Sequence, residues 1–429
     1  MNLRFYGKLA FAPCASLLFA LASPPANAAR DERVFALVQK EKPLLVETLR
    51  QIVSIESGSR DKPGLDRLAA LLAERLRALG GKVELIDPSP ADVVRMHDTP
   101  KELAKIVLAR FQGTGKRRIL LLAHMDTVYP HGTIEKRPFR IEGSRAYGPG
   151  VADEKGGDAV ILHTLSILKT LGFNGYGALT VLINGDEELS TPGARKTIER
   201  LAAEHDLVFS CEPTQSPKDF IEVATTGIAA ATLTVRGKSS HAGVAPELGR
   251  NALVELANQI LNTRDLSDAS RGIKFNWTTA SAGTTRNVIP DLAVATADVR
   301  VQRVADYEGI ERAFRERTKK KLIEDTKVEP EFERRRPPLE PNEAARATAK
   351  KAQAIYAELG RTLDVHEMGS GGGTDAAFAG LSGKPGVIEN FGLSGFNYHS
   401  SDAEYVDLDS VEPRLYLLTR LILETARAE

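Results

Sequence analysis

The chain has 429 residues, 42% of them hydrophobic and 27% charged, which suits about two domains of ordinary size. Lysine plus arginine and aspartate plus glutamate both total 57, and no block of five or six like charges occurs. Charge therefore makes no case for a nucleic-acid partner, and a single apolar segment, at the very start, excludes a polytopic membrane protein.

Arg4 and Lys8 precede a nearly continuous apolar run from Leu9 to Leu21, and Ala26-Asn27-Ala28 offers the small residues of a cleavage site. Residues 1–28 are expected to be a signal peptide, since that run is too short to cross a bilayer. Cleavage removes Cys14, leaves Cys211 without an intrachain disulfide partner, and leaves 55 basic against 57 acidic residues. The expected destination is the periplasm, or secretion beyond it, with no membrane association after cleavage.

From Asp31 to Ser54 the apolar spacing is helical, with Pro43 marking a break or a new start. Leu65, Leu68, Leu72, Leu76 and Leu79 form a second helical stripe, ended by Gly80-Gly81. Short β-type runs follow at 106–108 and 119–122, then a helix over 157–171, a strand over 179–183, a helix over 192–205 and a strand over 207–209. Such alternation predicts an α/β domain built on a mostly parallel sheet. After Thr226 the rhythm changes. A strand is expected over 228–236, a helix over 250–263, β-like runs at 273–279 and 292–301, a helix over 306–321 and a β-like run at 327–333. This β-α-β-β-α-β order is that of the ferredoxin-like α+β motif, and it interrupts two α/β stretches. The expected organisation is a catalytic domain in two parts, 29–226 and 338–429, with an inserted domain over 227–337. Pro337-Pro338 marks the return, and the last part reads as helical at both ends with a Gly-rich loop between.

His and carboxylate residues gather where the expected strands end. The run from Ile119 leads into Ala123-His124-Met125-Asp126, with Asp126 spaced to accept the other imidazole N–H and fix its tautomer. Gly148 to Asp153 then leads into a helix, where Asp153 reads equally well as a simple N-cap. Asp186-Glu187-Glu188 follows the strand over 179–183, Glu212 follows that over 207–209, and His399 lies in a turn near the C-terminus. Three adjacent carboxylates repel one another unless a cation sits among them; a solvated acidic turn is the alternative. Each feature alone fits an ordinary structural role, but together they suggest a mixed nitrogen and oxygen ligand set suited to zinc, cobalt or manganese.

These stretches resemble the M20 metallopeptidase family, and within it the bacterial glutamate carboxypeptidases of the carboxypeptidase G type. The matching segments are AHMDTVYP (123–130), AYGPGVADEKGG (146–157), NGDEELS (184–190), CEPT (211–214), GKSSHAGVAPELGRNALVE (237–255), RNVIP (286–290), GGGTDAAFA (371–379) and YHSSDAEYVDL (398–408). The resemblance implies two zinc ions per subunit, held by His124, Asp153, Glu188, Glu212 and His399, with Asp153 as the bridge and a cis peptide after it. Asp126 would orient His124, and Glu187 would be the general base acting on a water between the ions. It further implies a zinc-exopeptidase-like fold whose insertion is a lid or dimerisation domain. His241 would lie near the scissile carbonyl, often from a partner subunit. Asn287 and Arg336 would hold the substrate's free carboxylate, with the substrate-binding loop of Gly372, Gly373 and Thr374 nearby. Without the resemblance, Arg334–Arg336 would read as a solvated charge run.

Three departures stand out: a longer segment at 88–105, Gly369-Ser370 ahead of the triple glycine, and Cys211 where an apolar residue is expected. The remaining histidines, His97, His131, His163, His205 and His366, read as structural. The expectation is a homodimeric exopeptidase releasing a C-terminal amino acid, glutamate by resemblance, from folate-like, peptidyl or N-acyl substrates. The alternatives are an M20 N-acyl-amino-acid deacylase or dipeptidase, and a non-catalytic periplasmic binding protein on the same scaffold. The last would have lost a ligand or the base, and this sequence retains them all.

Overall fold

The computed structural model describes residues 29–400 and 403–427; the expected signal peptide lies outside them. A six-stranded sheet runs in the order Lys82–Ile86, Ile106–Gln112, Ala178–Asn184, Arg118–His124, Leu207–Ser210, Gly386–Ile388. Its last four strands pair in parallel, and the first two join antiparallel to one another and to the third. The central strand Arg118–His124 is buried on both sides, which is why it reads as one apolar run instead of an alternation. Ile119, Leu121 and Ala123 pack into the larger core, while Leu120 and Leu122 face a second layer containing Ile198, Leu201 and Phe378.

Helices Glu32–Val53, Lys155–Thr170 and Val411–Ala426 build that larger core. Pro43 does not break the first of them. The helix runs through it for 22 residues, because Val34 and Val38 on one side of the proline and Leu45, Leu49 and Ile52 on the other are all buried. That shared burial outweighs the missing N–H.

Residues 227–336 form a separate four-stranded antiparallel sheet in the order Lys274–Ala282, Leu292–Val301, Gly227–Arg236, Lys327–Arg336. Helices Ala252–Thr263 and Asp306–Arg317 back it, and Leu233, Val299, Phe275 and Phe314 lie in its own core. This is the ferredoxin-like arrangement, so the expected fold class holds. The closing strand reaches Arg336, three residues past the expected run, which carries that arginine to the catalytic body. No helix among the described residues is long and apolar enough to cross a membrane.

Candidate metal centre and substrate cleft

Parallel strands deliver their carboxyl ends to one edge of the sheet. His124 ends its strand opposite Asn184 in the neighbouring one, whose continuation carries Glu187 and Glu188, and Leu207–Ser210 leads directly to Glu212. Asp153 arrives just ahead of helix Lys155–Thr170, and its peptide bond to Glu154 is cis. A Cβ at Gly157, in that helix's first turn, would meet the Cys211 carbonyl at 2.2 Å, so only glycine lets the helix approach the Glu212 strand end. His399 comes from the turn after strand Ser394–Phe396.

The two oxygens of Asp153 face the two imidazoles: Oδ1 lies 3.1 Å from His124 Nε2, and Oδ2 lies 3.1 Å from His399 Nε2. His399 Nε2 is also 3.2 Å from the Glu188 carboxylate, and His124 Nε2 is 3.6 Å from Glu212. The donor atoms of Asp153, Glu188 and His399 lie within 4.8 Å of one another, as do those of His124, Glu154 and Glu212. Among the described residues the structure thus brings together all five sequence-identified candidates and adds Glu154.

The electrostatics call for positive charge here. Burial pushes the Glu188 carboxyl up to about 7, with the Asp153 charge acting the same way. Burial, and then the nearby Glu212 charge, holds Glu154 well above the usual carboxylate range. Hydrogen bonds to Asp153 and Glu188 raise the His399 imidazole to about 11. Burial opposes charge on the His124 ring, yet Glu212, Asp126 and Asp153 together raise it well above its ordinary value. A set of imidazole nitrogens and carboxylate oxygens that is buried around His124 and opens to solvent at His399, and that draws protons so strongly, fits divalent metal ions of the zinc, cobalt or manganese kind. Cys211 supplies no thiolate, because burial holds its thiol well above its usual value.

A second layer fixes these groups. Asp126 Oδ1 lies 3.3 Å from His124 Nδ1, and the same carboxylate accepts the backbone N–H of Glu187 at 3.1 Å and of Glu188 at 3.2 Å. Glu154 accepts the His124 N–H at 2.9 Å. Glu404 accepts three backbone N–H groups, from Gly150, Ala152 and Asp153. Sequence reasoning identified neither Glu154 nor Glu404 as site residues. Glu404 does lie within the YHSSDAEYVDL match, and that was the one signal available for it.

Arg336 is 2% exposed, not part of a solvated run. Its guanidinium pairs with Glu187 at 2.5 Å and with Asp375 at 3.3 Å, and it donates to the Glu187 carbonyl at 2.7 Å. Its Nε is buried without a hydrogen-bond partner. Arg336, Glu187 and the loop with Gly372, Gly373 and Thr374 line a cleft of about 630 Å³ together with Asp153, Glu188, Glu212 and His399. His241 and Asn287 lie outside it. Both are exposed, and the Ala242 N–H, beside His241, donates to the Asn287 carbonyl at 2.9 Å. His366, read as structural, does line the cleft.

Residues 120–424 match the model of peptidase family M20/M25/M40. The chain belongs to this family. Its members are metal-dependent, and this chain is a homologue of their carboxypeptidases: it is 42% identical over 395 residues to carboxypeptidase G2 of Pseudomonas sp. (strain RS-16), covering 92% of each protein. Among solved structures, aminopeptidase PepT of Bacillus cereus ATCC 10987 matches with a TM-score of 0.73 at 22% identity, over 90% of this chain and 99% of that one. The Bacillus subtilis YXEP protein, described as a dinuclear metal binding peptidase of the M20 family, matches with a TM-score of 0.65 at 17% identity, over 91% of this chain and all of that one. Both are similar to this chain in fold.

Proposed function

We propose that this M20 enzyme is a two-zinc exopeptidase hydrolysing the amide bond to a C-terminal amino acid of peptidyl or N-acyl substrates. The reading rests on Asp153, whose two oxygens lie 3.1 Å from the two imidazoles and could serve two ions at once. His124 and Glu212 would complete one ligand set, and Glu188 and His399 the other. Bound zinc would supply Lewis-acid polarisation of the scissile carbonyl and a more acidic water.

Glu187 then acts as general base. It takes a proton from the attacking water and returns it to the departing amine nitrogen. Burial holds its carboxyl well above the ordinary range, which suits a group that must keep a proton between two steps. Asp126 anchors the backbone of both 187 and 188, keeping the base and its ligand neighbour in fixed relation. The unpartnered Nε of Arg336, with the 372–374 loop, is assigned to the substrate's free carboxylate.

The likeness to carboxypeptidase G2 supports the carboxypeptidase type. Glutamate as the released residue is suggested by the family resemblance alone, and no side chain of this cleft is assigned to a second substrate carboxylate. The 1–28 pattern supports export to the periplasm or beyond. A homodimer would bring His241 and Asn287 of a second copy to the cleft.

The test is turnover of N-acyl amino acids and their C-terminal amides by zinc-loaded protein. Free acids should be cleaved about a hundredfold faster or more, because an amide offers no anionic acceptor to the unpartnered Nε of Arg336. Fewer than two ions per chain in fully active enzyme would remove the two-zinc reading.

A further inference from the structure

The cleft's far wall carries a feature that the proposed chemistry does not use. Phe220 and His366 stack with ring centroids 4.6 Å apart and planes 21° from parallel, and both line the cleft. Behind them the largely buried Glu222 holds His366 Nδ1 at 3.2 Å, leaving the imidazole 41% exposed. The strands Phe220–Glu222 and Asp364–His366 run parallel with Asp364 opposite Phe220 and His366 opposite Glu222, so the platform is fixed by backbone pairing.

Two cavities border the candidate metal centre. One is this cleft, with Arg336 and the glycine loop; the other lies across Glu188, lined by Gly58–Asp61, Thr127–His131 and Leu189. With the α-carboxylate on the Arg336 side, the C-terminal residue occupies the first cleft and the acyl half extends toward the second.

A glutamate side chain in that cleft needs a cation, and every basic group on its wall already has a carboxylate. Arg336, already against Glu187 and Asp375, is given to the substrate's α-carboxylate, Arg300 forks onto Asp298 at 2.8 and 2.9 Å, His399 has Asp153 and Glu188, and His366 has Glu222. A second substrate carboxylate would be desolvated without a partner of its own. A flat apolar side chain meets no such cost and gains the face of a fixed π pair.

We infer that the Phe220–His366 platform is the specificity site for the C-terminal side chain, and that it selects aromatic residues over glutamate. This rests on the exopeptidase reading. The experiment compares kcat/KM of zinc-loaded enzyme for N-acyl-phenylalanine, -glutamate, -lysine and -alanine, repeated in Phe220→Ala. The expected result is phenylalanine at least about tenfold above glutamate. Phe220→Ala should cut the phenylalanine-to-alanine ratio by about tenfold, mainly through KM. Glutamate or lysine equal to or above phenylalanine overturns the inference and leaves the exopeptidase reading intact. An equal loss on every substrate in Phe220→Ala overturns the platform's role in specificity. Turnover of none of the four overturns the exopeptidase reading, and this inference with it.

Discussion

Glu187 and Glu188 are neighbours in sequence with different surroundings. Glu188 faces Asp153 and His399, while Glu187 turns to Arg336. Glu187→Gln should therefore leave bound metal unchanged and lower kcat by about a thousandfold or more, within the range of lost general acid–base catalysis. Elemental analysis beside turnover checks this, and equal loss of metal and activity would make Glu187 a ligand. Arg336 carries a structural load as well as its proposed substrate contact. Arg336→Ala leaves the Glu187 and Asp375 carboxylates buried without their cation, so it should cost about 3 kcal/mol or more in denaturant unfolding besides its effect on kcat/KM. Unchanged stability would mean that the Glu187–Arg336–Asp375 contacts contribute nothing to the fold. The apolar runs that precede His124, Glu188 and Glu212 placed them at expected strand ends, and the family resemblance gave them ligand roles. Glu154 and Glu404 were not legible, since what they hold is backbone N–H groups brought near by the fold, and no spacing encodes that.

Long, strongly periodic elements were legible, and several of the shortest were not. The leucine stripe from Leu65 to Leu76 is buried as its spacing requires. The three-residue strand Gly386–Ile388 at the sheet edge is too short to carry a period. Pro43 misleads for a related reason, because the burial that holds its helix together comes from other helices. One junction between those helices is titratable. Glu41 on helix Glu32–Val53 lies 2.5 Å from His163 Nδ1 on helix Lys155–Thr170 and accepts from Ser166 at 2.8 Å, while Thr48 lies 2.8 Å from the other ring nitrogen. Burial pushes the Glu41 carboxyl up, but the hydrogen bonds from His163 and Ser166 outweigh it, leaving a net value below the usual 4.5. A depressed carboxylate stabilises the fold above its unfolded pKa, and that contribution is lost as pH falls through the folded value. Glu41→Gln should therefore lower Tm more at about pH 5.5 than at about pH 3.5, and a Tm gap that grows in acid would show the sign to be wrong.

Across the whole molecule, the candidate centre draws on residues from His124 to His399: parallel register brings His124, Glu188 and Glu212 to one edge, while Asp153 arrives ahead of helix Lys155–Thr170 and His399 from the turn after Ser394–Phe396. The gathering was legible from several strand ends taken together with the family resemblance, whereas the shape of the cleft was not, because its walls come from the insertion strand ending at Arg336 and from the 371–374 loop. Two sequence-identified residues belong neither to the cleft nor to the centre beside it. His241 and Asn287 sit together on the exposed surface of the insertion, where the proposed homodimer would offer them to a cleft on another copy. The proposed homodimer has a consequence that single variants cannot mimic. A cleft would take Glu187 from its own chain and His241 from the other. In a mixed dimer of Glu187→Gln and His241→Ala chains, the His241→Ala subunit keeps its own Glu187 and receives an intact His241. Mixing the two impaired proteins under conditions that exchange subunits should then restore activity to about a quarter of wild type, since about half of the dimers are mixed and one cleft in each is whole. Steady-state assays before and after exchange, with light scattering to follow the dimer, decide the matter. Mixed protein no more active than the average of its parents would rule out a shared site.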